Sequence, residues 1–142
     1  MAAAPRYLLD TNILSDMMRS PEGRAAQRFR SLLVGDESVH LCTSVIVQCE
    51  LLFGLRRRAQ PRWHTQHQRL MDSLDVMSLQ ADAVLHYAQL RAHLESAGTP
   101  LSPNDLLIAA HALALDATLV SADVAFARVP GLRLENWLVE TT

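Results

Sequence analysis

Tyr7-Leu8-Leu9-Asp10-Thr11-Asn12 decides how this chain is read. An apolar run stops at a carboxylate, two small polar residues follow, and Ile13-Leu14-Ser15-Asp16 begins a helical pattern. A buried strand that delivers Asp10 to its C-terminal tip accounts for this order. In an open α/β sheet, that edge is where ligands bind.

The same alternation continues outward. Residues 7–9 form the first strand, and Thr11 or Asn12 can cap the helix behind it. Pro21 ends that helix or starts the next, over 22–34, with Phe29, Leu32 and Leu33 as its apolar face. Residues 39–42 read as the second strand. Thr43 or Ser44 then caps a helix whose apolar face is Val45, Ile46, Cys49, Leu52 and Phe53, with Glu50 at its edge. Pro61 opens a helix carrying Trp63, His64, His67, Leu70 and Met71, and 74–77 is a short third strand. A long helix over 80–97 turns Val84, Leu85, Ala88, Leu90, Ala92 and Leu94 inward and stops at Gly98. After a loop with two prolines, Asp105 opens an Ala-rich helix over 106–115, and 119–120 and 132–134 are the last strands. The expected fold is α/β. A mainly parallel central sheet of about four to five strands lies between helical layers, making a three-layer α/β/α sandwich.

The 142 residues suit a single domain, 1–142, with its core at about 6–138. A hydrophobic fraction of 49% argues against wholesale disorder. No apolar run approaches the ~20 residues that span a bilayer, and the N-terminus lacks a secretory pattern. A cytoplasmic protein with no membrane attachment is expected. Cys42 and Cys49 are too few for a zinc site and read as buried, reduced filler. The net charge of -2 does not advertise nucleic-acid binding, yet all 13 basic residues are Arg. Arginine suits forked contacts to phosphate, although a GC-rich genome gives the same bias.

Three acids stand out by position: Asp10 after strand one, Asp105 behind the Pro-rich loop, and Asp123 after strand four. Glu50 is the fourth, two turns into its helix. Singly, these residues read as helix caps, a turn residue and a solvated glutamate. Jointly, they converge on one sheet edge, where like charges need protons or a cation. All-oxygen donors select Mg²⁺ or Mn²⁺, ions that activate water and stabilise charge on phosphate.

LLDTNILSD, SVIVQCELLFG, SPNDLLIAAHALAL and TLVSADVAFARVPGL, in that order, resemble the PIN-domain ribonucleases. Among these the chain is most similar to the VapC toxins of type II toxin–antitoxin pairs, and the likeness runs from Tyr7 to Trp137. It implies a site of Asp10, Glu50, Asp105 and Asp123 that binds Mg²⁺ or Mn²⁺. It implies endonucleolytic RNA cleavage by metal-activated water, leaving a 5′-phosphate and a 3′-hydroxyl, with transfer or ribosomal RNA among the targets and arrest of translation and growth as the result. Asn12, Ser44 and Ser121 fall on polar stations that orient ligands or contact the phosphate. The resemblance further implies a small VapB-like antitoxin, a homodimer and a higher assembly with that antitoxin. The last motif departs from the family's Thr-Asn-Asp, reading Ser121-Ala122-Asp123, and Ala125 stands where an acid is common. Both departures bear on the Asp123 end of the site.

Arg56, Arg57 and Arg58 form a basic run suited to RNA or antitoxin, or to a solvated helix end. Trp63 reads as a base-stacking or packing residue. Leu14, Met17, Met18, Leu51, Leu52 and Leu55 suit core, dimer or antitoxin contacts. His64, His67, His86, His93 and His111 carry no specific signal. Two other functions compete: a non-catalytic PIN-like binding or regulatory subunit, which would have shed its acids, and a Mg²⁺-dependent phosphatase. The phosphatase wants a second acid two residues after Asp10, and position 12 is Asn.

Overall fold

A computed structural model describes residues 4–58 and 60–140. Its strands are β1 (Arg6–Leu9), β2 (His40–Ser44), β3 (Asp75–Met77), β4 (Thr118–Val120) and β5 (Leu134–Glu135). Its helices are α1 (Thr11–Arg19), α2 (Arg24–Gly35), α3 (Val45–Arg57), α4 (Pro61–Met71), α5 (Ala83–Ser96) and α6 (Pro103–Ala114), and a 3₁₀ turn spans Val124–Arg128. The strands form one parallel sheet in the order β3-β2-β1-β4-β5.

Consecutive strand residues point to opposite faces. Leu8 and Leu9, adjacent in β1, are both fully buried, so each face of the sheet is covered by helices. The chain builds outward from β1 through β2 to β3 and then returns to lay β4 on the other side of β1. The strand order therefore reverses beside β1, and the crevice beyond the β1 and β4 tips is the switch point of the sheet. Leu8 pairs with Leu119 and Leu9 with Val120, which sets the residues after both strands side by side.

The helix phases differ from the sequence expectation. α3 turns Val47, Leu51 and Leu55 inward and leaves Cys49, Leu52 and Phe53 exposed. Its sequence is apolar on every side, so periodicity could not pick the inner face. In α5, Ala83, Leu90 and Leu94 are buried, whereas Val84 and Leu85 face solvent. Leu14, Met17 and Met18 pack in the core. No helix among the described residues is long and apolar enough to cross a membrane.

His111 ties the layers together. Its Nε2 lies 3.1 Å from the Ser78 carbonyl, which can only accept, so Nε2 carries the proton. Nδ1 then accepts from the Ser44 hydroxyl at 2.8 Å, and Ser44 Oγ in turn accepts from the Ile46 N–H at 3.0 Å. Burial pushes the His111 pKa below the ordinary 6.5. The neutral ring is thus the one that fits, and protonation would oblige the Ser44 hydroxyl to turn its proton away and accept from Nδ1 instead. His111 contributes stability that is complete above the unfolded value of 6.5 and lost as pH falls through its lower folded value.

His111→Ala should cost roughly 2–4 kcal/mol in urea unfolding and remove this part of the acid sensitivity. Burial lifts the Cys42 thiol to about 12, whereas Cys49 is exposed. A thiol reagent should therefore label Cys49 alone in the folded protein and both cysteines in denaturant.

Candidate active site

The site is built around Asp10. The residue is 5% exposed at the end of β1, and its backbone N–H donates to the Val120 carbonyl of β4 at 2.9 Å. Its side chain, not that of Thr11 or Asn12, caps α1: Oδ1 accepts from the Thr11 N–H at 2.8 Å. The positive end of a helix favours a carboxylate there. Oδ2 accepts from the Ser121 hydroxyl at 2.8 Å.

Asn12 spans the gap between the strand tips. Its amide nitrogen donates to Ser121 Oγ at 3.2 Å and reaches Asp10 Oδ2 at 3.5 Å. Its amide oxygen accepts from the backbone N–H of Ala122 at 3.0 Å. The alanine at position 122 is thus recruited through its backbone. Ser121 Oγ also accepts from the Asp123 N–H at 3.1 Å, while Asp123 Oδ1 caps the 3₁₀ turn through the Ala125 N–H at 2.9 Å. Asn12 and Ser121 thus hydrogen-bond the Asp10 carboxylate and link it to the start of the Asp123 turn.

Ser44 does not. It is fully buried, its hydroxyl is shared between Ile46 and His111, and it contacts none of the four acids. Of the two expected roles, contact with phosphate does not suit a fully buried hydroxyl; Ser44 instead caps α3, as one of the two cap candidates, and thereby fixes the helix that carries Glu50. Thr11, expected from the sequence only as a possible cap, supplies the missing link. Its hydroxyl donates to Glu50 Oε1 at 2.9 Å, joining the second turn of α3 to the start of α1. Asp105 lies in the first turn of α6 without opening it. Pro103 starts that helix, and Ser102 Oγ accepts from the Asp105 N–H at 3.3 Å.

The acids act on one another. Asp10 is raised from 3.8 to about 6, chiefly by burial; the Ser121 and Thr11 hydrogen bonds oppose the rise, and the charges of Asp105 and Glu50 add to it. Asp105 is also raised, mainly by burial, against a hydrogen bond from Ser102 and with a further push from Asp123. At the switch point Asp10 thus feels the charges of Asp105 and Glu50, and Asp105 feels that of Asp123. Their donor set is all oxygen, which matches a hard divalent ion. Among the described residues, however, no three His, Cys, Asp or Glu side chains stand close enough to hold an ion as placed. A cation would have to draw the carboxylates inward.

A cleft of about 340 Å³ opens beside Glu50 and Thr11, between α1, α3 and α4. Arg57 and Arg58 line it, and Arg56 does not.

Comparison with known proteins bears on family and fold. The PIN domain family model matches residues 7–132. The chain is 34% identical over 137 residues to Ribonuclease VapC2 of Rickettsia felis, spanning 92% of this chain and 97% of the relative. It is 28% identical over 134 residues to the tRNA(fMet)-specific endonuclease VapC of Salmonella typhimurium, spanning 93% and 98%. The fold matches a chain in the crystal structure of VapBC2 from Rickettsia felis bound to a promoter DNA fragment, with a TM-score of 0.85, 31% identity, and coverage of 93% and 98%.

Asp10 titrates near 3.8 when unfolded and at about 6 in the fold. Between those values the folded state binds more protons, so stability should fall as pH rises through the window and level off above it. Without divalent ions, Asp10→Asn should abolish this slope and stabilise the protein at neutral pH by on the order of 2 kcal/mol. Asn can still cap α1. Thermal melts across the pH range, compared between wild type and variant, separate this effect from the opposite trend of His111.

Proposed function

Since the chain belongs to the PIN-domain family, among its VapC ribonucleases, we propose that it is an endoribonuclease whose activity depends on Mg²⁺ or Mn²⁺. It acts as the toxin of a toxin–antitoxin pair, hydrolysing RNA phosphodiesters and so arresting translation and growth. The observation that carries the chemistry is Asp10. A buried carboxylate at the switch point of the sheet, raised by burial and by two further acids, is under-neutralised as it stands.

Asp10, Glu50, Asp105 and Asp123 would hold the ion. Bound there, it would neutralise the acids, acidify water and stabilise charge building on the phosphate. The chain's own groups do the positioning. Ser121 and the Thr11 N–H aim Asp10 by its two oxygens, and the Thr11 hydroxyl orients Glu50. Asn12 locks the β1 and β4 tips in register, so that Asp10 and Asp123 keep their spacing. A carboxylate takes the proton of the attacking water.

Transfer RNA or ribosomal RNA is the proposed substrate class. Support comes from the relative named a tRNA(fMet)-specific endonuclease. The proposed partner is a VapB-like antitoxin, as in the VapBC complex whose toxin fold this chain shares. A homodimer, assembled further with that antitoxin, completes the proposal. The non-catalytic reading is disfavoured because all four acid stations are filled, and the phosphatase reading because Asn12 ties the strand tips together instead of supplying a second acid.

Cleavage of total cellular RNA should require Mg²⁺ or Mn²⁺ and stop in chelator. Asp10→Asn, Glu50→Gln and Asp105→Asn should each lower kcat/KM at least about a hundredfold, and Ser121→Ala roughly ten- to a hundredfold, as expected when an orienting hydrogen bond is lost. Mapping of the cut sites then names the RNA. Cleavage indifferent to both chelator and Asp10→Asn would rule the mechanism out.

A further inference from the structure

The cleft between α1, α3 and α4 touches the acids only at its inner end, where Thr11 holds Glu50. Its floor is apolar, with Leu51 and Leu55 from α3 and Met18 from α1. Its wall carries Arg19, Arg57, Arg58 and Trp63, and its inner end is Thr11 and Glu50. The cleft thus begins at the hydrogen-bonded pair that borders the acid rim and leads away from it.

Among the described residues, four of the thirteen arginines face a carboxylate, and those of the cleft are among the rest. Arg24, Arg30, Arg91 and Arg133 each face a carboxylate. Arg19, Arg57 and Arg58 make no ion pair among the described residues. In a chain with net charge -2, three arginines with no carboxylate partner gather beside a cluster of acids. Aromatic rings are interleaved with the basic groups. The Arg62 guanidinium lies 4.2 Å from the centroid of Trp63, and that of Arg57 lies 5.6 Å from the exposed ring of Phe53. A positive groove with stacking rings is the pattern that holds a single strand of nucleic acid.

We infer that this cleft seats the nucleotide of a single-stranded RNA segment next to the scissile phosphate. The base lies against Trp63, and the backbone lies on Arg57 and Arg58. The inference rests on the nuclease reading and deepens it. An acid rim repels a polyanion, so binding must come from a flank, and this flank is continuous with the rim. A volume of about 340 Å³ admits about one nucleotide, at the small end of ligand clefts. Arginine's fork matches phosphate better than any single point charge. A protein segment is the competing occupant. Three arginines against the single carboxylate of Glu50 leave the cleft lining with an excess of positive charge, which favours the polyanion.

The test is equilibrium binding of an end-labelled, single-stranded RNA oligonucleotide to the full chain, in chelator so that nothing is cut. Trp63→Ala should weaken binding roughly tenfold or more, the worth of one stacked base. Trp63→Phe should keep most of the affinity, which separates lost stacking from lost fold. RNA should quench tryptophan emission in the wild type and not in Trp63→Phe. Replacing Arg57 and Arg58 with Gln together should flatten the salt dependence of log Kd by roughly 1. In cleavage assays the same variants should raise KM more than they lower kcat.

The nuclease reading is measured apart from this, by wild-type cleavage and its loss in Asp10→Asn. If wild type cuts RNA while all these variants bind as tightly as wild type, the cleft assignment is wrong and the nuclease stands. Unchanged RNA affinity with lost binding of a VapB-like antitoxin assigns the cleft to the protein partner and overturns the inference. Neither cleavage nor RNA binding by wild type defeats both.

Discussion

A carboxylate taken out of water is costly unless its charge is met, and this fold buries one at the tip of its central strand. Asp10 cannot be moved without consequence. Its oxygens are held by the Ser121 hydroxyl and the Thr11 N–H, and its own N–H is tied to Val120. Those contacts join β1, α1 and β4, the elements that meet where the strand order reverses. The hydrogen bonds recover only part of the burial cost, since the acid remains raised to about 6. That unmet charge is what the proposed divalent ion would relieve.

Two zones of opposite sign then sit side by side. The acid rim alone would repel an RNA backbone. The arginine-lined cleft, as the proposed RNA seat, would alone bind without cutting. Thr11 stands at their junction, with its hydroxyl on Glu50 and its N–H on Asp10. A chain with net charge -2 can handle a polyanion because the distribution of charge, not its sum, meets the ligand.

The parts legible in the sequence are those with one dominant local signal. β1 and its terminal carboxylate read directly, because an apolar run that ends at Asp and passes into a helical pattern fits little besides a buried strand. The parallel sheet follows from alternation, and the place before an apolar run narrows the α3 cap to Thr43 or Ser44, of which the structure uses Ser44. Less legible is any helix with more than one apolar side. In α3, Val45-Ile46-Val47 and Leu51-Leu52-Phe53 offer several candidate faces, and the sheet, not the pattern, chooses Val47, Leu51 and Leu55. Cys49 and Leu85 depart from expectation for the same reason. The candidate acids are read from their places after strands and in helices and from the family resemblance, but the contacts that support them are not. Thr11 on Glu50 and His111 on Ser44 are contacts between residues 39 and 67 positions apart, and nothing local marks them. Within Asp10-Thr11-Asn12, three polar residues divide capping, bridging and locking in a way that only the meeting of strand tips could assign.

The most direct measurement is the titration of the Asp10 side-chain carboxyl by carbon-13 NMR, with and without Mg²⁺. A buried acid crowded by Glu50 and Asp105 should titrate at about 6 in the absence of the ion. Saturating Mg²⁺ should carry the midpoint down, as the cation favours the charged form. A midpoint in the ordinary carboxylate range, unmoved by Mg²⁺, would contradict the view that this side chain is the unneutralised centre of a metal-dependent site.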